Sequence, residues 1–299
     1  MQVYLKLLGA AIFWGGTFIA GRIVSREMDP YSAAFIRFLI ASVFLLGTIR
    51  FHQGYLPPLK KNQIIPVVLL GMTGIFSYNI LFFKGLHTVH AGRAALIIAL
   101  NPIFISLCSS IFFKERLTIF RAAGILISFL GAAIVITYGN LGNMINMPIS
   151  RGDFFIFGCV GSWVAYSLIG KVVMTGISPL VSVGYSSAIG TLALLVPAAM
   201  KGVFPQMMSL SLIEWSSLFY LGFFGTVLGF FWYYDGINRI GPMKASVFIN
   251  FVPVSAILLA YLILDESVTW SLVSGAMLVM SGVLLTNFSE QLWRMVRKQ

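Results

Sequence analysis

The chain has 299 residues, 59% of them hydrophobic and only 10% charged, with a formal net charge of +11 at pH 7. A soluble globular protein carries roughly 25% charged residues, so this composition excludes an ordinary water-soluble fold. The basic residues are dispersed among short connectors instead of forming one patch, which argues against a nucleic-acid partner. The composition predicts a chain that lies in the lipid bilayer.

Ten apolar segments follow one another along the chain. A helix needs about 20 apolar residues to cross the hydrocarbon layer, and continuously apolar runs favour helices over barrel strands. Charges, prolines and glycines place the predicted spans at 3–24, 30–50, 63–84, 91–113, 118–138, 152–172, 179–200, 212–234, 243–264 and 268–288. The predicted fold is therefore an all-α membrane protein with ten transmembrane helices.

The connectors predict the orientation of these helices. Loops on the side of the N-terminus carry roughly twice as many Lys and Arg residues as loops on the other side, which is typical of a cytoplasmic face. Both termini are therefore expected in the cytoplasm, with the chain passing many times through the inner membrane. Cys108 and Cys159 lie inside apolar runs without metal or redox spacing, which indicates buried hydrophobic residues.

The two halves of the sequence repeat each other. Because each half holds five spans, an odd number, the second half must enter the membrane from the opposite side. The sequence therefore predicts two inverted five-helix repeats, at residues 1–140 and 151–290, which would place a site near the midplane between them. A shift of 151 residues aligns Leu70-Gly71 with Leu221-Gly222, Gly74 with Gly225, Pro102 with Pro253 and Glu115 with Glu266, and a shift of 149 aligns Trp14 with Trp163 and Pro30 with Pro179.

The motifs and their order resemble the drug/metabolite transporter superfamily, specifically its ten-helix branch with two EamA-type halves. The first half carries Trp14-Gly15-Gly16-Thr17-Phe18, Arg37-Phe38, Asn101-Pro102-Ile103-Phe104 and Lys114-Glu115-Arg116-Leu117-Thr118, followed by Gly124 and Gly131. The second half repeats the pattern more loosely and departs from it at Ser186, the counterpart of Arg37. The resemblance covers nearly the whole chain and implies export or exchange of amino acids, related metabolites or drugs across a bacterial-type inner membrane.

Aromatic and amide side chains within the spans are the candidate substrate-binding residues. Aromatic rings line pockets for apolar or cationic ligands, and an amide in hydrocarbon is costly unless it finds a partner. Two alternatives remain open, because Trp and Tyr also form interfacial belts and amides also join helices. The candidates are Trp14, Tyr78, Asn79, Asn101, Trp163, Tyr166 and Asn250.

Two prolines and one arginine complete the candidate site. Pro102 and Pro253 fall in the middle of predicted spans, where a proline distorts the helix and frees a carbonyl. Their paired occurrence favours a helix-breaking or gating role beside a cavity over a tolerated kink. Arg37 lies inside the second span and is a possible charge site for a substrate carboxylate. The alternative is a structural bond to a distorted helix or to a carboxylate such as Glu27 or Asp29.

Charged residues near the span ends are given structural tasks. Glu115 and Glu266 each precede a Thr that is expected to cap the next helix, which favours a helix-turn role over the alternative of gating. The remaining connector charges are interpreted mostly as solvated, with a minority that latches the gates as the alternative: Lys84, His87, His90, Arg93, Asp235, Arg239 and Lys244.

The predicted function is a secondary transporter that moves small metabolites by alternating access, acting as an exporter. No phosphate-binding loop is present, so energy is expected from a gradient, with possible proton coupling. Few basic groups lie in the spans, which favours neutral, zwitterionic or cationic solutes over phosphorylated or nucleotide-sugar solutes. Those solutes remain the alternative, and an ion channel or a membrane enzyme is less favoured. The expected partners are a small-molecule substrate and the bilayer, with no catalytic residue, metal or cofactor and an open oligomeric state.

Overall fold

The computed structural model describes residues 1–86, 88–89, 94, 97–140, 142, 149–264 and 270–296. Within these ranges every regular element is a helix and no strand occurs, which confirms the predicted all-α membrane fold. Eight of the described helices are long and apolar enough to cross a membrane, namely Gln2–Glu27, Pro30–Gln53, Lys61–Gly85, Ile119–Ile136, Arg151–Val173, Pro179–Met200, Leu212–Ile240 and Trp270–Trp293. They coincide with the first, second, third, fifth, sixth, seventh, eighth and tenth predicted spans.

The fourth and ninth spans are not continuous α-helices. In the fourth, a turn at 99–100 precedes the helix Asn101–Phe112. The ninth runs through Pro242–Ser246, a 3-10 segment at Val247–Asn250 and the helix Phe251–Leu264. The expected distortion is present beside both prolines. Pro102 and Pro253 each lie in the first turn of the α-helix that follows the distortion, where a missing N–H costs little.

The third and eighth spans contain π-helical segments that the sequence did not predict. They lie at Gly71–Ser77 and Phe223–Leu228, at corresponding positions of the two halves. A π segment adds residues to a turn and frequently marks a functional site. The repeated Leu-Gly pairs at 70–71 and 221–222 lie at the start of these segments.

Corresponding spans of the two halves pass each other in opposite directions. On the second and seventh spans, Ile49 lies against Gly184, and Ser42 Oγ lies 3.0 Å from Thr191 Oγ1. Because the residue numbers rise along one helix as they fall along the other, the helices are antiparallel. This is the geometry expected of inverted repeats, while the repeat boundaries at 1–140 and 151–290 stay a prediction.

The fifth and tenth spans form the most extensive helix contact among the described residues. A Cβ atom added at Gly131 would lie 2.7 Å from the carbonyl oxygen of Gly275, and one at Gly124 would lie 2.7 Å from that of Gly282. Small residues allow two helix backbones to approach this closely. These two pairs join the halves by backbone contact.

Hydroxyl and carboxylate side chains determine where several spans begin. Thr118 Oγ1 accepts a hydrogen bond from the backbone N–H of Arg121 at 3.2 Å, which confirms Thr118 as a cap. Asp29 Oδ1 accepts from the backbone N–H of Tyr31 at 2.9 Å and begins the second span. Glu266 and the Thr that follows it lie outside the described residues. One short helix, Val203–Ser209, was not predicted and lies between the seventh and eighth spans.

Candidate functional site

A small cavity lies between the two halves. A water molecule needs about 10–15 Å³ of the space open to its centre, so the cavity holds a few waters and is smaller than a metabolite site. The water-accessible volume of the cavity is about 60 Å³. Its lining residues are Trp14, Thr17, Phe18, Arg37, Tyr78, Phe82, Ile98, Asn101, Trp163, Phe230, Ile249 and Val252.

The two halves contribute different chemistry to this cavity. The guanidinium, amide and hydroxyl groups among the lining residues all come from the first half, and none of the described residues that line the cavity is acidic. We call the lining residues of the second half the apolar wall, which comprises Trp163, Phe230, Ile249 and Val252. The repeat pairs Ile98 with Ile249 and Asn101 with Val252, so an amide in the first half corresponds to an isopropyl group in the second.

Aromatic rings form the centre of the site. The rings of Trp14 and Trp163 meet edge to face, with centroids 5.5 Å apart and planes at 88°. Trp163 also contacts Tyr78 at 5.3 Å and Phe230 at 5.1 Å between centroids. Trp14 Nε1 donates to the backbone oxygen of Gly225 at 2.9 Å, within the second π segment. Edge-to-face contacts of this kind orient the rings and hold the shape of the cavity.

Arg37 is buried and connects the two π-helical spans. Its Nε donates to Thr226 Oγ1 at 3.1 Å, and its Nη1 donates to Asn79 Oδ1 at 3.3 Å. Asn79 in turn donates to the backbone oxygen of Ile75 at 2.8 Å, so the amide is oriented by the distorted helix. Among the described residues no carboxylate lies within 4 Å of the guanidinium, and Asp29 instead caps the second span.

Two further polar groups at the cavity make no well-aligned hydrogen bond to a described residue. Asn101 is only 1% exposed, yet its side chain makes no hydrogen bond to a described residue and its Oδ1 is fully buried. Trp163 Nε1 is likewise buried and makes no hydrogen bond of acceptable geometry within the described part of the chain. Buried polar groups are nearly always hydrogen-bonded in folded proteins, so unpaired ones at a cavity are expected to meet a ligand.

Several predicted site residues lie behind the cavity instead of lining it. Asn79 holds Arg37, and the Asn250 amide donates to Ser128 Oγ at 2.8 Å, joining the ninth span to the fifth. Tyr166 packs behind Trp163, with ring centroids 5.4 Å apart. Pro102 and Pro253 are buried but are absent from the lining residues. For these five residues the structure provides packing and hydrogen bonds, while their functional roles stay predictions.

The sequence missed lining residues that carry no unusual side chain. Thr17, Phe18, Phe82, Ile98, Phe230, Ile249 and Val252 are lining residues that the prediction did not name. The repeat offered a signal for one of them, because Val252 is the counterpart of the predicted residue Asn101. Nothing local in the sequence distinguishes the rest from other apolar residues of the spans.

Ion pairs join the two halves at one end of the bundle, which we call the N-terminal end. Each pair links a residue of the first half to a residue of the second half, and all of these residues lie at or near the ends of spans. The pairs are Lys6 with Asp235 at 2.8 Å, Lys171 with Glu115 at 2.5 Å and Arg121 with Glu290 at 2.7 Å between charged atoms.

At this end Asp235 and Lys244 are not solvated charges as interpreted, whereas the Arg239 side chain is 56% exposed, which agrees with that interpretation. The Asp235 side chain is 9% exposed and also pairs with Arg239 at 2.7 Å. Lys244 lies 3.4 Å from the carboxylate of Glu290. A buried carboxylate needs such partners, because burial removes its hydration. His87, His90 and Arg93, which were interpreted in the same way, lie outside the described residues.

Known proteins resemble this chain over its full length. The family model described as "EamA-like transporter family" matches residues 1–137 and 150–288. The uncharacterized transporter YyaM of Bacillus subtilis is 31% identical over 95% of this chain and 93% of its own. An uncharacterized transporter of Archaeoglobus fulgidus is 27% identical over 95% and 98%, respectively. A solved crystal structure superposes with a TM-score of 0.76 at 19% identity, covering 96% of this chain and 97% of the other, which shows a shared fold.

Proposed function

Because the chain belongs to the EamA-like transporter family and is a membrane transporter, we propose that it exports small metabolites such as amino acids by alternating access. The observation that carries this proposal is a cavity between two antiparallel halves, lined by groups from both. Inverted repeats of this kind supply two related conformations that open to opposite faces. The membrane we propose is the inner membrane, with both termini in the cytoplasm.

The ion pairs at the N-terminal end support a conformation closed on that side. Three pairs cross from one half to the other, so separating the halves there requires breaking all three. Each pair has at least one partly exposed member, namely Lys6, Glu290 or Lys171, so each is worth about 1 kcal/mol or less. Closure of this strength is compatible with a transporter that must reopen in each cycle.

The small cavity supports the same conformation. A volume of about 60 Å³ does not admit an amino acid, so the halves must move apart before a solute enters. Domain movements of this kind occur on microsecond to millisecond timescales. Transport therefore requires opening at one end while the other stays closed.

Flux into proteoliposomes tests the proposal. A panel of amino acids, amines and phosphorylated sugars is offered with and without a proton gradient, and empty liposomes give the background. We expect saturable movement of at least one organic solute. Saturable movement of none would overturn the transporter proposal for this panel's solute classes, and movement independent of the gradient would argue against proton coupling.

Cross-linking tests the alternation. In a chain without Cys108 and Cys159, Lys6→Cys and Asp235→Cys are joined by a short bis-maleimide, which locks the N-terminal end. The matched control joins Asp235→Cys to Arg239→Cys, which lie on one helix. We expect the first cross-link to stop flux and the second to leave it largely intact. Unchanged flux in a fully cross-linked first sample would contradict alternating access.

A further inference from the structure

We propose that the end of the substrate recognised at the cavity is a carboxylate, held by Arg37 and Asn101, and that its body is apolar and lies against the apolar wall. This inference names a substrate class and rests on the proposed function. It favours carboxylic acids and amino acids over purely cationic solutes.

Arg37 supplies the charge for this recognition. Its described partners, Thr226 and Asn79, are neutral, and its Nη2 makes no hydrogen bond to a described residue. A buried guanidinium without a counter-ion is costly in a low-dielectric interior, which marks it as a functional group. A carboxylate would neutralise it through short charge-assisted hydrogen bonds. The two bonds to the π-helical spans hold the side chain in place, so little rotamer entropy remains to be lost on binding.

Asn101 supplies a second, independent observation. The amide is 1% exposed and makes no hydrogen bond to a described residue, although an amide carries two donors and an acceptor. It lines the same cavity as Arg37. Its –NH₂ group is suited to a carboxylate oxygen, and its oxygen is suited to a donor on the same solute. An amide kept unpaired beside a cavity would otherwise destabilise the fold.

The charges of the described lining residues argue against a simple cation as the substrate. None of these residues is Asp or Glu, and the charged residue among them is Arg37. An ammonium group would meet like charge from the guanidinium and only aromatic faces as partners. A carboxylate instead meets the opposite charge of the Arg37 guanidinium, which the first half contributes to the cavity. An apolar body then lies against the rings of Trp163 and Phe230 and the aliphatic side chains of Ile249 and Val252.

Four probes test the preference through binding to the full chain in phosphatidylcholine nanodiscs, measured by isothermal titration calorimetry against empty nanodiscs. The pairs are 3-phenylpropionate with 3-phenylpropionamide, and phenylalanine with 2-phenylethylamine. Only the carboxylate member of each pair carries the proposed recognition group. We expect the carboxylate to bind about tenfold tighter or more in both pairs. An amide or amine that binds as tightly as its carboxylate partner would overturn the proposal.

Three variants assign the preference to Arg37. Arg37→Gln is expected to weaken carboxylate binding about tenfold and to change amide binding less than about threefold, because only the charge-assisted bond is lost. Arg37→Lys keeps the charge and is expected to keep part of the preference. Lys84→Gln is the control, since it removes a positive charge that does not line the cavity. A folded Arg37→Gln with the full preference would refute the assignment.

The two proposals fail in different ways. If Arg37→Gln does not fold, as judged by its melting curve, the wild-type comparison of the four probes still decides the outcome. Saturable flux without any carboxylate preference sinks this inference and leaves the transporter proposal standing. Absence of flux from every solute of the panel sinks the proposed function itself.

Discussion

The two halves of this protein share their packing but differ at the cavity. Counterpart glycines keep equivalent contacts: a Cβ atom at Gly74 would clash with the Tyr166 ring, and one at Gly225 would clash with the Thr17 methyl, where Thr17 and Tyr166 are themselves counterparts. At the cavity, in contrast, the counterpart of Asn101 is Val252. The repeated scaffold preserves the positions that control helix approach, while the side chains that line the cavity differ between the halves.

The largest effect is expected at the aromatic centre. Trp163 is 5% exposed and packs against several rings, whereas its counterpart Trp14 is only partly buried. Trp163→Ala is therefore expected to destabilise the fold by about 3 kcal/mol or more, and Trp14→Ala by less. Thermal melting in detergent checks the order. Equal losses would show that the two halves bury their tryptophans equivalently.

The next largest effect is expected at the close contact between the fifth and tenth spans, where the two halves pack together. Gly131→Ala would push a Cβ atom against the Gly275 carbonyl and is expected to cost about 1–3 kcal/mol. Gly161→Ala meets nothing within 4 Å and is expected to stabilise its helix by about 0.5–1 kcal/mol. Melting temperatures should shift in opposite directions. Two shifts of the same sign would remove the argument for close approach at Gly131.

Exchanging polar and apolar side chains at counterpart positions tests the chemical difference between the two halves at the cavity. Asn101→Val removes an unpaired buried amide and is expected to leave stability unchanged or raised, while transport of a carboxylate falls about tenfold. Val252→Asn buries a new amide and is expected to lower stability. Flux and melting curves are measured on the same preparations. A destabilised Asn101→Val would indicate that the amide serves the fold.

The smallest effect is expected where the halves meet through charge. Lys171→Gln breaks the ion pair between Lys171, whose side chain is 31% exposed, and Glu115, whose side chain is 20% exposed. The expected loss is about 1 kcal/mol or less, since partly exposed pairs contribute little. Raising the salt concentration should reduce the difference between variant and wild type in thermal melts. A large, salt-independent loss would mean that the pair is a structural requirement.

Particular residues show how far sequence reasoning reached. Trp14, Trp163, Asn101, Tyr78 and Arg37 were all predicted at the site and all line the cavity. Asn250 is also an asparagine and is as deeply buried as Asn101, yet its amide donates a hydrogen bond to Ser128 on a neighbouring helix. An amide in an apolar span predicts that a partner exists, but it does not say whether the partner is a helix or a ligand.

The sequence by itself determined the membrane class, the ten apolar segments, the repeat and the family, because hydropathy and a constant offset are properties of the chain order. The tertiary structure decided which side of each helix faces the cavity, how Arg37 joins the two spans that contain π segments, and which half contributes the apolar wall. A membrane helix is hydrophobic on all sides, so no periodicity reveals its buried face. That face is chosen by close packing with other helices, which only the folded chain contains.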